Sequence, residues 1–128
     1  MEIKVQKKLA TGQVRFESDF GTCEGIWNDD EPESNRKYTV EIEIPEHLTA
    51  ARLALSDEKH CILEKVEEEE AVHIVGQLED YEEDGFAVLR LEDSIICFNT
   101  KYDEQIEAMH GKFIEFEVEK IHLSKVGI

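Results

Sequence analysis

Between Ala71 and Thr100 three apolar runs are separated by two short acidic turns, and this stretch leaves the chain few folds to choose from. Val72, Ile74 and Leu78 alternate with His73, Gln77 and Glu79; Ala87, Leu89 and Leu91 alternate with Val88, Arg90 and Glu92. A period of two is that of a strand with one face in a core. Asp84-Gly85 between these runs predicts a type I′ hairpin turn, which needs positive φ at both central positions. Glu92-Asp93-Ser94 turns the chain again into Ile95–Phe98, a run short enough to be a strand buried on both faces. The expectation is a three-stranded meander with the rest of the chain closing around it.

The flanking sequence supplies further strands. Ile3 and Val5 predict a strand over 2–9, Thr11-Gly12 a turn, and Val14 and Phe16 a second strand. The two glycines of Phe20–Trp27 predict a bend or bulge. Over Lys37–Ile44, Tyr38, Val40, Ile42 and Ile44 point one way and Thr39, Glu41 and Glu43 the other, with Pro45 expected to end the strand. Residues 46–59 read either as a short helix on Leu48, Arg52 and Leu55 or as a loop with one strand at Arg52–Leu55. Cys61–Leu63 begins another strand before the charge run Glu67–Glu70. Tyr102–His110 reads as a two-turn helix stopped by Gly111. In Lys112–Lys125, Ile114, Phe116 and Val118 share one parity while Ile121 and Leu123 share the other, so a β-bulge is expected near Glu119-Lys120. No internal repeat or linker is visible, and the length suits one domain over 1–128.

These elements predict an all-β chain with one or two short helices, folded as a small antiparallel barrel. From residue 71 the order is strand, strand, strand, short helix, bent strand, a layout similar to the OB-fold. A two-sheet β-sandwich is the alternative.

Charge narrows the function. Asp and Glu total 31 against 14 Lys and Arg, a net charge of −17. Such a surface repels phosphate backbones and anionic lipid and attracts basic partners, so nucleic acid is not the expected partner. No apolar run is long enough to cross a bilayer, and MEIKVQKKLATGQ carries charge but no apolar core of a signal peptide. The expectation is a cytoplasmic protein with no membrane partner. Its three cysteines, Cys23, Cys61 and Cys97, are expected as free thiols, Cys97 buried within its apolar run.

No pattern points to catalysis, a cofactor or a metal. His47, His60, His73, His110 and His122 fall at no ligand spacing, and the acidic loop 28–35 lacks the alternation, glycine and terminal glutamate of a calcium loop. What remains are acidic rows, Glu41 and Glu43 on one strand and Glu115 and Glu117 on another, with Trp27 as an anchor beside an acidic loop. These five are the candidate partner-binding residues. The reading is a non-catalytic acidic protein-binding module, in concrete form an inhibitor or immunity-type protein masking a basic partner. The alternative is an OB-like nucleic-acid or small-ligand binding protein.

Overall fold

The computed structural model describes residues 1–126. In it the alternating segments form eleven strands of one continuous sheet. They are β1 (Glu2–Lys8), β2 (Gln13–Ser18), β3 (Gly21–Trp27), β4 (Lys37–Leu48), β5 (Ala54–Leu55) and β6 (Ile62–Lys65). After these come β7 (Val72–Tyr81), β8 (Phe86–Leu91), β9 (Ser94–Thr100), β10 (Phe113–Val118) and β11 (His122–Lys125). The one α-helix among the described residues, α1, spans Glu104–Glu107, with Asp103 accepting a hydrogen bond from the Gln105 amide at its start.

The sheet closes on itself. β1, β2 and β3 form an antiparallel meander, β3 pairs in parallel with β11, β11 pairs antiparallel with β4, and β4 pairs antiparallel with β1. This ring is a closed five-stranded barrel, to which the other strands are added outside, and it rules out the two-sheet sandwich. Closure therefore falls on the N-terminal meander. The central meander β7-β8-β9 is flanked by β10, antiparallel to β7, and by β4, parallel to β9. Strand, strand, strand, helix, strand is thus the C-terminal layout, as expected.

The same plan occurs twice, correcting the expectation of no repeat. Both β4-β1-β2-β3 and β10-β7-β8-β9 follow the Greek-key order, the fourth strand returning beside the first. The registers coincide at a constant offset: Val5 faces Phe16 as Leu78 faces Leu89, and Phe16 faces Cys23 as Leu89 faces Ile96. The irregularity in β1 between Val5 and Lys7 recurs in β7 between Leu78 and Asp80. The Trp27 amide donates to the Gly12 carbonyl at 2.7 Å, as the Thr100 amide does to Gly85 at 2.9 Å. Each unit lends its fourth strand to the other: β4 continues alongside β9, and the chain leaving β10 becomes β11 alongside β3.

Several local expectations change for physical reasons. β4 runs through Pro45, because its ladder with β9 skips between Glu43 and His47, where the missing N–H is not needed. Residues 46–59 hold the end of β4, a 3-10 turn at Ala50–Arg52 and the two-residue β5. The turn at Asp84-Gly85 is not type I′: Gly85 has φ +88, Asp84 is not in the positive-φ region, and the Gly85 amide donates to Glu82. The segment 112–125 breaks where its parity changes, so Ile114, Phe116, Val118, Ile121 and Leu123 are all buried. The two-turn helix shrinks to one turn that ends at Ala108, and Gly111, at φ +82, lies beyond it in the turn toward β10 rather than at its stop. No helix among the described residues is long and apolar enough to cross a membrane.

Candidate functional site

Alternation sends half of each strand outward, and one outward face is not wholly polar. Register places Val88, Cys97, Glu43 and His122 side by side across β8, β9, β4 and β11. Their chain neighbours Leu89, Ile96, Ile42 and Leu123 face the core and are buried. Beside this row lies a hollow of about 320 Å³ lined by Glu41, Ile42, Glu43, Phe86, Ile95, Cys97 and Asn99. Ile95 is 45% exposed while Ile96 is fully buried. The run Ile95–Phe98, expected to be covered on both faces, is covered on one only. Cys97 is half-buried on the outer face rather than buried in the core, and the buried thiol is Cys23.

The electrostatics of this face are one-sided. Burial, then the charges of Glu41 and Glu43, push the Cys97 thiol above its usual pKa. It stays protonated at neutral pH and is a poor nucleophile. Cys61 is raised by burial, and Cys23 is pushed up to about 12 by the same cause. On the far side of Ile95, Arg90 is held by Glu79 through two bonds of 2.9 and 2.8 Å, so its charge is already matched. Glu41 and Glu43 have no ion-pair partner among the described residues.

The other candidates lie elsewhere. Glu115 and Glu117 stand on β10, separated in the sheet from β4 by β9, β8 and β7. There Glu117 sits opposite His73, whose Nε2 is 3.8 Å from Glu115, and the Glu117 carbonyl accepts from Arg52 at 2.7 Å. The two acidic rows overlap under the repeat: Ile3 faces Tyr38 as Gly76 faces Ile114, which puts Glu41 and Glu117 at matching places, while Glu43 matches Glu119 and Glu115 matches Thr39. Trp27 is buried, meets Tyr38 edge-on at 5.0 Å and donates its indole N–H to the Asp30 carbonyl at 2.6 Å. It anchors the acidic loop to the barrel with its ring turned into the core, in register through Leu123 with Ile42, and not out toward Glu41 and Glu43.

Sequence reasoning named Glu41 and Glu43 but missed Ile95, Phe86 and Cys97. The signal was present in the pairing of Val88 and Arg90, half-exposed on β8, with Cys97 and Ile95 on β9. Among the described residues no group of three or more His, Cys, Asp or Glu is placed to hold a metal ion. No protein-family description, curated protein or solved structure matches the chain.

Proposed function

We propose that this protein is a non-catalytic acidic module that binds a basic region of another protein, acting as an intracellular inhibitor or immunity-type mask. The observation that carries the reading is the outer face of β4, β8 and β9, where the exposed Ile95 lies in a hollow rimmed by the unpaired Glu41 and Glu43. An apolar floor supplies contact area on association, and the rim carboxylates set the sign of the partner. A net charge of −17 adds steering at a distance. The test is stopped-flow association with the basic protein recovered by affinity capture, at two salt concentrations. The Glu41→Gln/Glu43→Gln variant should associate more slowly than wild type with a shallower salt slope. Identical on-rates and slopes would remove the reading.

A further inference from the structure

The internal repeat gives the hollow between β4 and β9 a counterpart, and that counterpart takes one of its walls from another segment of the chain. Phe86, Cys97 and Asn99 correspond to Gln13, Glu24 and Ile26. These three line a smaller hollow of about 180 Å³, which the chain itself walls with Lys65, Glu70 and Ala71 from the β6–β7 connection. The walling residues lie at the end of β6 and in the turn that follows, where the Val66 amide donates to the Ala71 carbonyl at 2.9 Å. The Leu63 amide donates to the Phe20 carbonyl at 3.0 Å, and a Cβ on Gly21 would stand 2.9 Å from the Leu63 carbonyl oxygen. Lys65 and Lys120 line this hollow together with Glu24, Glu70 and Glu119, and the Lys65 ammonium donates to the Glu69 carbonyl at 2.6 Å. In the hollow between β4 and β9 every lining residue comes from β4, β8 or β9, so the wall supplied elsewhere by β6 is missing.

We propose that the hollow between β4 and β9 receives a lysine- or arginine-bearing segment of the partner protein, which supplies the wall that this hollow lacks. This rests on the protein-binding reading and names the partner's local chemistry. A long basic side chain fits both parts of the site: its methylene stem lies on Ile95 and Phe86 while its charge reaches Glu41 and Glu43. A purely apolar occupant would strip water from two carboxylates without pairing them. A second copy of this chain would bring another net charge of −17 against them.

Cys97 lines the hollow and Cys61 does not, which supplies a reporter and its internal control. The probe is a heptapeptide of alternating lysine and valine, with a glutamate–valine peptide as comparison. Alkylation of each thiol in the native protein is followed by mass spectrometry. At saturating lysine peptide, alkylation of Cys97 should slow about tenfold, since a covered thiol is inaccessible, while Cys61 is unchanged. Glu41→Gln/Glu43→Gln and Ile95→Asp should each abolish the protection, Ile95 being exposed enough for the change to leave the fold intact. No protection at millimolar peptide, equal protection of both thiols, or protection that survives in Ile95→Asp would overturn the proposal. If Cys97 is unprotected while the stopped-flow dependence on Glu41 and Glu43 holds, this segment-binding mode falls and the protein-binding reading stands. If both fail, both fall.

Discussion

Ile95 and Ile96 are consecutive in β9 and stand on opposite sides of it, Ile96 at 0% exposure in the core and Ile95 at 45% in solvent. A strand alternates strictly, so one side chain stabilises the barrel and the other is available to a partner. Truncation should separate the roles. Ile96→Ala should cost about 2–5 kcal/mol through the cavity it leaves. Ile95→Ala should stay within about 0.5 kcal/mol of wild type, as a surface change does. Urea unfolding at equilibrium measures both. Comparable losses would mean that Ile95 has a folding role.

Gly12 and Gly85 occupy matching turns with similar φ, +75 and +88, yet their surroundings differ. A Cβ at Gly12 meets nothing within 4 Å, whereas one at Gly85 would collide with the Thr100 carbonyl. Gly12→Ala should therefore cost about 1 kcal/mol, the strain of a left-handed conformation. Gly85→Ala should cost clearly more, because the backbone of β9 must move and the Thr100-to-Gly85 hydrogen bonds go with it. Thermal unfolding of the two variants decides this. Equal shifts in Tm would contradict the difference in clearance.

Much of this fold was legible locally, because strands declare themselves by alternation. Val40, Ile42 and Ile44 marked β4, and the parity switch between Val118 and Ile121 marked the break after β10. What was not legible is which strand closes which ring. β11 pairs with β3 across most of the chain, and nothing local in either segment encodes that partner. The repeat was hidden for a related reason: register and turn geometry recur while side chains do not, Gly12 and Gly85 being the identity shared by the two meanders. At the site, glutamates on a strand show in sequence as a polar row. An exposed isoleucine looks the same as a buried one until its neighbours are known.

Stability should respond to alkaline pH through Cys23. In the unfolded chain its thiol ionises near the ordinary value of 9.0, whereas burial holds the folded form protonated to about 12. The unfolded state therefore loses its proton first. The contribution is fully present below pH 9, and stability falls as pH rises from 9 toward 12. Cys23→Val keeps the site apolar and removes the titration. Urea midpoints measured between about pH 8 and about pH 11 should fall less steeply for the variant than for wild type. Parallel curves would show that the thiol is not held neutral by burial.

The two acidic rows should prove functionally unequal despite the matching places of Glu41 and Glu117 in the repeat. Glu41 and Glu43 border a hollow lined by β4, β8 and β9 alone, whereas Glu117 belongs to the repeat whose corresponding hollow is also walled by the β6–β7 connection. Beyond about 8–10 Å exposed charges are screened at physiological salt, so only carboxylates at the docking face should retain influence there. Replacing Glu41 and Glu43 with glutamine should slow association with the basic partner several-fold, about 3- to 10-fold at low salt. Replacing Glu115 and Glu117 should change the rate by less than about twofold, through the loss of net charge alone. The quadruple variant should match the product of the two effects, since the rows share no neighbour and sites this far apart act independently. Stopped-flow traces of the three variants at two salt concentrations give the comparison. A larger effect from Glu115 and Glu117 would move the interface to β10, where Glu115 lies 3.8 Å from His73.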